Sequence, residues 1–426
     1  MHEPDRLRIL IVTPSLPYPL IWGFGIRVYQ IIKYLAQQHH VTVLAYAGPN
    51  DQDSIAALGQ TGATVLAVVR EEPTTAAKRQ AQLGSLFSFD SFQWQSLESS
   101  AMQMAIDRAL ADEEFDIIQV ESSQMTGFDF KSTASLLVDE HNIEYELLYR
   151  TFAIERSALR KFYNWVEYRK FRHEEQRSWK QSDGCVLTSG REEAILHRYS
   201  PRTPTLVVPN GVDIDAFRPT RDARDPNSVV FVGVMHYRPN VDAALYFARE
   251  IMPRLLQERP NLVFTIVGGG PPDELRRLAS RNIVLTDRVP DTRSYLGGAG
   301  VVVIPLRMGS GTRLKVLEGL AMGCPLVSTS VGCEGIAVTD GEHLLVADGP
   351  ADFARSVLRV LDDERLASEL GQSGRALVEA RYSWPSVLRE LEAFMRARRR
   401  ASRVTNRRSG RPHRQAPILR HPPLAS

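Results

Sequence analysis

Between Gly300 and Gly335 the sequence runs from a strand through a turn into a helix and then into a second strand. Val301–Leu306 is a short run of apolar, mostly β-branched residues, which is typical of a central strand in a parallel sheet. Apolar residues recur at helical spacing over Arg313–Met322, and after a Gly and a Pro another apolar run, Leu326–Ser330, follows. A strand–helix–strand unit of this kind predicts a parallel sheet covered by helices.

The turn between that strand and that helix is made of small residues and is flanked by bases. Its residues are Gly309, Ser310, Gly311 and Thr312. Unpaired backbone N–H groups and the helix dipole favour an anion at such a helix N-terminus. Arg307, Arg313 and Lys315 add positive charge, and Glu318, one turn into the helix, can accept hydrogen bonds from hydroxyls. The pattern predicts a site for the diphosphate and ribose of a sugar nucleotide; the alternative is an ordinary strand–helix turn with surface bases.

Strand and helix patterns alternate twice along the chain. The predicted strands of the first half are Leu7–Pro14, Val41–Ala47, Ala63–Val69, Phe115–Glu121, Ser135–Glu140, Gly184–Ser189 and Thr205–Pro209. Those of the second half are Ser228–Val234, Leu262–Gly268, Ile283–Val289, Val301–Leu306, Leu326–Ser330 and His343–Ala347. The main predicted helices are Ile26–Gln37, Ser99–Ala111, Arg156–Lys180, Asn240–Glu258, Asp273–Ala279, Arg313–Met322 and Asp352–Leu361. Each half therefore predicts a doubly wound, Rossmann-like α/β domain.

A chain of 426 residues suits two domains. We predict a first domain over 1–212, a second over 213–380, a helix over 381–398, ending near Arg396, that packs back on the first domain, and a basic, disordered tail over 399–426. Ligands of doubly wound sheets bind outside the carboxyl ends of the strands, so we expect the site in the cleft between the domains.

Composition and charge narrow the class of protein. The hydrophobic content of 43% is that of a soluble globular protein, and no apolar run reaches bilayer length. The N-terminus has no signal-peptide core, and three scattered cysteines fit neither a disulfide framework nor a metal cluster, so we expect a cytoplasmic protein. Ten arginines and no acidic residue lie from Arg396 onward. Subtracting these ten charges from the net charge of +2 leaves −8 for the rest of the chain. This acidic body argues against a nucleic-acid partner. The tail could contact anionic lipid or be merely solvated.

Several segments together resemble the family 4 glycosyltransferases of the GT-B fold. In the second half they are VVPNGVDIDAFRP, FVGVMHYRPNVDAALYF, IVGGGP, TDRVPDTRSYL, PLRMGSGTRLKVLEGLAMGCPLVSTSVGCEG and RYSW. In the first half they are VTPSLPYPL, GFGIR and VDEHNIEYELL. The resemblance covers roughly residues 7–395, and it is specific because the segments occur as an ensemble in this order.

The resemblance implies a transferase that uses a nucleotide sugar, retains the anomeric configuration and needs no metal ion. The nucleotide-diphosphate sugar is then a co-substrate and no separate cofactor is expected. The second domain would hold the donor, and the first would hold a glycan or lipid-linked acceptor. A diphosphate without a metal needs its charge met by amides and bases, which the turn before Arg313 supplies.

The chain departs from the family at the donor site. Family members usually carry two glutamates seven residues apart; here Glu318 matches the second, but Ser310 stands at the first. The usual Arg and Lys after the first donor-domain strand are replaced by Val234 and Asn240, with His236 and Arg238 between them. We hypothesise that Arg313, Lys315 and Arg238 bind the phosphates instead.

Glycines mark three further stretches. Gly233 in FVGVM and the run Gly268–Gly269 in IVGGGP lie at the ends of predicted strands, and the resemblance places the latter near the nucleotide base. The pattern does not match the dinucleotide fingerprint, so a nicotinamide cofactor is not expected. In the first domain Gly23 and Gly25 allow close approach of a ligand to the backbone, although Phe24 separates them where the family more often has adjacent glycines. A loop shaped only by its prolines is the alternative there.

Two residues at strand ends are further candidates for contact with the sugar or the acceptor. His141 follows the strand Ser135–Glu140, and the segment HNIE matches a family motif, so we expect it to hydrogen-bond the sugar or orient the acceptor. Glu334 follows the strand Leu326–Ser330 and could contact a sugar hydroxyl, or have no ligand at all. In a retaining transfer the leaving phosphate would accept the acceptor's proton, so no paired carboxylates are expected.

The stretch Arg156–Lys180 mixes aromatic residues with many bases. Phe162, Trp165, Phe171 and Trp179 are its larger aromatics. Such a helix could rest on the inner face of a membrane and suit a lipid-linked acceptor. The alternative is that the aromatics pack into the first domain while the charges form pairs in water.

Taken together, the sequence predicts a hexosyltransferase with catalytic His141 and Glu318, acting in surface polysaccharide synthesis. Two alternatives remain open: an enzyme of the same fold that epimerises nucleotide sugars, and a sugar-nucleotide-binding protein that has lost catalysis. Ser310, Val234 and Asn240 keep the last alternative open.

Overall fold

The computed structural model describes residues 6–20, 22–71, 73–155, 157–220, 224–308 and 313–409. The chain divides into two compact units. The first unit extends to Val208 and resumes at Leu388, and the second is Pro209–Val387. The sequence analysis places the corresponding break after residue 212.

The first unit is built on a seven-stranded parallel sheet. Its strands are β1 (Arg8–Thr13), β2 (His40–Ala47), β3 (Thr64–Val69), β4 (Ile117–Glu121), β5 (Ser135–Glu140), β6 (Gly184–Leu187) and β7 (Thr205–Val207). Its helices are α1 (Gly23–Ala36), α2 (Gln52–Gly59), α3 (Thr75–Ser85), α4 (Phe92–Leu97), α5 (Ser100–Asp112), α6 (Glu144–Ile154), α7 (Ala158–Gln181) and α8 (Gly190–Tyr199). The strand order β3-β2-β1-β4-β5-β6-β7 reverses direction between β1 and β4.

The second unit repeats this plan with a six-stranded parallel sheet. Its strands are β8 (Asp225–Val232), β9 (Val263–Val267), β10 (Ile283–Leu285), β11 (Ala299–Ile304), β12 (Leu326–Ser328) and β13 (Leu345–Val346). Its helices are α9 (Arg238–Tyr246), α10 (Met252–Glu258), α11 (Asp273–Arg276), α12 (Arg293–Gly298), α13 (Leu314–Ala321), α14 (Pro350–Asp362) and α15 (Glu364–Arg381). Helix α16 (Trp384–Ser409) begins in this unit and belongs to the first unit from Leu388 onward. The order β10-β9-β8-β11-β12-β13 reverses between β8 and β11. The predicted pair of doubly wound parallel sheets is thereby confirmed.

Two boundaries differ from the prediction for identifiable reasons. The helix predicted over Asn240–Glu258 is interrupted by a π turn at Phe247–Ile251, just before Pro253, whose nitrogen cannot donate a helical hydrogen bond. The strand predicted over Ile283–Val289 stops at Leu285, and Asp287 then adopts a left-handed backbone with φ of 57°.

The last helix is longer than the sequence analysis expects. Helix α16 continues through Ser409, well past Arg396, so the first part of the tail predicted to be disordered is helical. This stretch contains Ala and Arg, which favour helix, and its first glycine comes only at Gly410. Within the first unit, Arg399 forms an ion pair with Asp116, with 2.7 Å between Nε and Oδ1. The remainder of the predicted tail, 410–426, lies outside the described residues.

A buried ion pair joins three parts of the first unit. Arg27 of α1 is 1% exposed and donates from Nε and Nη2 to the two oxygens of Asp139, at 3.2 and 3.0 Å. Asp139 belongs to β5 and is fully buried. The guanidinium also donates to the carbonyl of Val208, at 2.8 Å. The pair thus ties a helix and the segment after β7 to the middle of the sheet.

Replacing Asp139 with Asn should remove the carboxylate that forms two hydrogen bonds with the buried Arg27 guanidinium. We expect the first unit to lose about 3–5 kcal/mol of unfolding free energy, the scale for breaking a buried ion pair from one side. Urea unfolding followed by tryptophan fluorescence measures this, because four of the five tryptophans lie in the first unit.

The matched control for this loss is Glu113→Gln. Glu113 pairs with Arg8 at 3.6 Å on the surface, with side chains 33% and 53% exposed. Removing that pair should cost less than about 1 kcal/mol. Equal losses for Asp139→Asn and Glu113→Gln would contradict the central role of the buried pair.

Candidate functional site

Two strand ends of the second unit touch where β8 and β9 finish. The amide of Gly233 donates to the carbonyl of Val267 at 2.9 Å, and that of Met235 donates to Gly269 at 2.8 Å. Gly268 has φ of +149°, and a Cβ on it would lie 1.9 Å from the carbonyl oxygen of Gly233. Only glycine fits at position 268, so the two glycine stretches singled out in the sequence form one contact.

The ammonium group of Lys315 lies next to these strand ends. Its Nζ donates to Oδ1 of Asn240 at 2.6 Å and lies 4.6 Å from the centre of the Phe231 ring. Asn240 is itself held by a bond of 2.9 Å from Nδ2 to the carbonyl of Val234. A Cβ on Gly233 would lie 2.8 Å from both Lys315 Nζ and Asn240 Nδ2. Glycine at position 233 therefore makes room for this positioned cation.

Burial perturbs the two titratable groups on the same face of α13. It lowers the pKa of Lys315 to about 7, an effect that Arg313 adds to and Glu318 opposes. Burial also raises the pKa of Glu318 to about 7, and Lys315 opposes this shift. Both groups therefore change charge near neutral pH. A bound anion would stabilise the protonated form of Lys315.

The other predicted donor-site residues are placed differently. Arg307 forms a two-bond ion pair with Asp242, at 3.0 and 2.6 Å, and lies 4.5 Å from the centre of the Tyr246 ring. Its charge is thus paired on the surface rather than grouped with Lys315. His236 and Arg238 are exposed beyond β8. Arg313 precedes α13 and is half-buried, and Glu334 is exposed. The predicted turn residues Gly309, Ser310, Gly311 and Thr312 lie outside the described residues.

In the first unit His141 lies directly after β5 and is nearly buried, with 10% of its side chain exposed. Its Nε2 is 2.9 Å from Oε2 of Glu121, the last residue of β4. Oε1 of Glu121 accepts a bond of 2.7 Å from Nε2 of Gln119. Burial raises the pKa of Glu121, and the hydrogen bond with His141 opposes that shift. The imidazole is therefore held by a fully buried carboxylate.

The glycine segment before α1 approaches the same histidine. The ring of Phe24 is centred 4.6 Å from the imidazole of His141 and is inclined to it by 43°. Gly25 is buried, and a Cβ on it would lie 3.1 Å from the Trp22 ring and 3.2 Å from the Pro17 carbonyl oxygen. Gly23 is exposed at the first position of the helix. Thus Phe24, which separates the two glycines in the sequence, is the member of the segment that contacts His141.

Arg27, Glu121 and Asp139 are site residues that the sequence motifs do not predict. Glu121 and Asp139 stand at the ends of the apolar runs IIQVE and LLVDE, where a carboxylate next to a strand end is the visible signal. Their partners are distant in sequence, so the pairing itself cannot be read from spacing. Within the part of the chain that the structure describes, no helix is long and apolar enough to span a membrane.

Comparison with known families matches both halves of the chain. The model described as "Glycosyltransferase Family 4" matches residues 22–216, and that described as "Glycosyl transferases group 1" matches residues 226–363. The two matches together span most of the sequence, and they follow the division into two units.

Individual relatives and structures are similar over different lengths. An "uncharacterized 44.6 kDa protein in cps region" of Klebsiella pneumoniae is 21% identical over 88% of this chain and 96% of its own. The D-inositol 3-phosphate glycosyltransferase 2 of Catenulispora acidiphila is 31% identical, but over only 48% of this chain and 53% of its own. The chain thus spans about half the length of that relative.

Among solved structures, the Anabaena protein HepE in complex with UDP-glucose superposes with a TM-score of 0.67 at 13% identity. The match covers 92% of this chain and all of that one. Sucrose-phosphate synthase of Thermosynechococcus elongatus gives a TM-score of 0.69 at 17% identity, over 92% of this chain and all of the other. At these identities the likeness establishes the fold, which is GT-B as predicted.

The resemblance drawn from the sequence motifs is confirmed: the chain belongs to glycosyltransferase family 4 and is a glycosyltransferase of the group 1 type.

Proposed function

We propose that this glycosyltransferase moves a sugar, with retention of configuration and without a metal ion, from a nucleoside-diphosphate sugar to a glycan or lipid-linked acceptor in surface polysaccharide synthesis. The observation that carries the proposal is the Lys315 ammonium, held by Asn240 beside the ends of β8 and β9. The complex of the Anabaena protein with UDP-glucose supports a nucleotide-sugar donor. The Klebsiella relative, named for its cps region, supports the polysaccharide assignment.

The charge of the donor is met by the second unit in this proposal. A diphosphate at the N-terminus of α13 would be neutralised by Lys315 and Arg313 together with the helix dipole. Glu318, one turn further into the helix, would accept hydrogen bonds from ribose hydroxyls. The family resemblance implies a lysine at position 240, whereas Asn240 of this chain positions Lys315 and adds no second charge.

The reaction then needs few groups from the protein. The bond between the sugar C1 and the β-phosphate oxygen breaks, and a bond from C1 to the acceptor oxygen forms on the same face. The acceptor's proton passes to the departing diphosphate oxygen, whose charge Lys315 and Arg313 stabilise. His141 of the first unit would hydrogen-bond a hydroxyl of the transferred sugar or of the acceptor.

Donor affinity should depend on pH through Lys315. Because burial lowers its pKa to about 7, the side chain is positive below pH 7 and loses its charge above it. The diphosphate linkage of a nucleotide sugar stays ionised, so affinity for the tightest-binding of UDP-, GDP- and ADP-glucose should fall about tenfold between pH 6 and pH 8.5, or about 1.4 kcal/mol. Isothermal titration calorimetry measures this.

Two variants test whether the pH dependence of donor affinity comes from Lys315 or from Glu318. Lys315→Arg keeps the charge throughout this range and should flatten the profile, whereas Glu318→Gln removes the other group that titrates near pH 7 and should leave the fall in place. Wild-type affinity that does not change with pH, or the same slope in Lys315→Arg, would contradict the role given to Lys315.

Metal removal tests the proposal that transfer needs no metal ion. Slow hydrolysis of the donor should proceed at the same rate in EDTA as in millimolar magnesium or manganese, because bases and amides rather than a cation meet the diphosphate charge. The measurement is release of the nucleoside diphosphate. Loss of turnover in EDTA, restored by a divalent ion, would show a metal-dependent enzyme. Interconversion of sugars in the same assay would favour an epimerase, and binding without turnover a binding protein.

A lipid-linked acceptor would require contact with a membrane, and the hairpin of α6 and α7 offers a surface for it. Tyr149, Leu159, Phe162 and Trp165 are 50%, 85%, 59% and 42% exposed. The rings of Phe162 and Trp165 stack at 6.2 Å, and the guanidinium of Arg169 lies 5.9 Å from the centre of the Trp165 ring. Exposed aromatic side chains among bases suit an anionic bilayer surface. By contrast Phe171 and Trp179 are fully buried, as the packing alternative expected for them.

Sedimentation with vesicles tests this surface. Binding to phosphatidylglycerol vesicles should exceed binding to phosphatidylcholine vesicles, and the double change Leu159→Ser with Phe162→Ser should weaken it at least tenfold through lost apolar insertion. Met104→Ser, which alters another exposed apolar residue of the first unit (64% exposed), is the control and should bind normally. Equal loss in both variants, or no preference for anionic lipid, would contradict the assignment.

A further inference from the structure

A chain of three buried polar side chains ends at His141. Gln119 and Glu121 are fully buried on β4. The Gln119 amide donates to Oε1 of Glu121, and the other carboxylate oxygen lies 2.9 Å from Nε2 of His141. Nδ1 of His141 is buried too, and it has no hydrogen-bond partner among the described residues. A buried polar atom without a partner costs about 1–3 kcal/mol, so a partner for this nitrogen is to be expected.

The order of donors and acceptors in this chain fixes which ring nitrogen carries the proton. Burial raises the pKa of Glu121, but the hydrogen bonds with His141 and Gln119 both oppose that shift, and we assign the ionised form on that ground. An ionised carboxylate can only accept, and Oε1 already accepts from Gln119. Oε2 must then accept from Nε2–H of His141. In a neutral imidazole this leaves Nδ1 unprotonated, with its lone pair as the acceptor. The partner that Nδ1 lacks is therefore a hydrogen-bond donor.

A metal ion is a poor candidate for that partner. Donor atoms of Glu121, Asp139 and His141 do lie within 4.8 Å of one another, the arrangement expected of a cation site. Both oxygens of Asp139, however, are bonded to the guanidinium of Arg27, at 3.2 and 3.0 Å. A divalent ion would have to approach this fixed positive charge. A neutral hydroxyl meets no such repulsion.

Phe24 lies on the same imidazole. The centre of its ring lies 4.6 Å from the centre of the His141 ring, and its side chain is half-buried. Glycines precede and follow it in the sequence. Nδ1 is buried, so a ligand hydroxyl reaches it only after a neighbouring side chain shifts, and the Phe24 ring that lies on the imidazole is the side chain to which we assign that shift.

We propose that Glu121 is a positioning residue, which fixes His141 in the tautomer whose Nδ1 accepts a hydrogen bond from a sugar hydroxyl once Phe24 moves aside. The identity of the hydroxyl rests on the proposed function. The role of Glu121 rests on the geometry of the first unit alone.

The tautomer can be observed without any donor. In protein labelled with ¹⁵N-histidine, the His141 signal, assigned by its loss in His141→Ala, should show a protonated Nε2 and a bare Nδ1 at pH 7.5. In Glu121→Gln the Gln119 amide donates to the new carbonyl, so the new NH₂ faces Nε2 and the proton moves to Nδ1. A wild-type signal with protonated Nδ1, or an unchanged signal in Glu121→Gln, overturns the proposal.

Turnover tests whether Glu121 acts through His141. Glu121→Gln and His141→Ala should each lower kcat/KM for donor hydrolysis at least tenfold, and the double variant should be no worse than His141→Ala. The control is Glu140→Gln, which alters a neighbouring buried carboxylate bonded at 2.8 Å to Trp179 and not to His141. Its effect on turnover should be the same with and without His141.

Full additivity of Glu121→Gln with His141→Ala overturns the proposal, since a merely structural effect would add. A wild-type protein that turns over no donor overturns the proposed function and the sugar hydroxyl with it. The NMR result decides the role of Glu121 in that case as well.

Discussion

The ion pair between Arg27 and Asp139 is the interaction on which the chemistry of the first unit depends. It places a fully buried positive charge next to the ends of β4 and β5, where Glu121 and His141 lie. Without that guanidinium, two carboxylates and an imidazole would meet in a desolvated space, where like charges repel strongly and a cation would be favoured. With it, Asp139 is neutralised locally, and Glu121 is left to act on His141 alone. The ion pair thus makes this cluster less favourable for a cation and supports the hydrogen-bonding role proposed for it.

The second unit shows the opposite arrangement: it holds the Lys315 ammonium group without a carboxylate in direct contact among the described residues. Lys315 is bonded to the neutral amide of Asn240 and packed on Phe231. An amide oxygen fixes the position of the ammonium but does not cancel its charge, so burial lowers its pKa to about 7. Arg307 shows the contrast: its pair with Asp242 cancels its charge on the surface. The diphosphate site proposed for this unit requires the first arrangement rather than the second.

Much of the fold could be predicted from the sequence, because buried parallel strands are short apolar runs and their order follows from alternation with helices. Ser135–Glu140 was predicted to the residue. What could not be predicted depends on partners far apart in the chain. Arg307 and Asp242 are 65 positions apart, and His141 and Glu121 are 20 apart, so no local pattern announces either contact. The predicted phosphate turn, 309–312, falls outside the described residues and stays a prediction.

Helix α7 shows most clearly why periodicity alone misleads in this chain. Its buried face is not apolar: Glu167 accepts from the amide of Phe92, Glu174 from that of Ser91, and Glu175 from those at the start of α6. These carboxylates satisfy N-terminal amides of α4 and α6 that would otherwise lack partners.

Because glutamates occupy much of the buried face of α7, its aromatic residues fall into a buried group and an exposed group. Phe171 and Trp179 complete the core, while Phe162 and Trp165 remain 59% and 42% exposed among the described residues. The buried glutamates of α7 thus break the apolar periodicity expected of a packed helix. They also leave exposed aromatic side chains at the end of the hairpin, which is the surface proposed for contact with lipid.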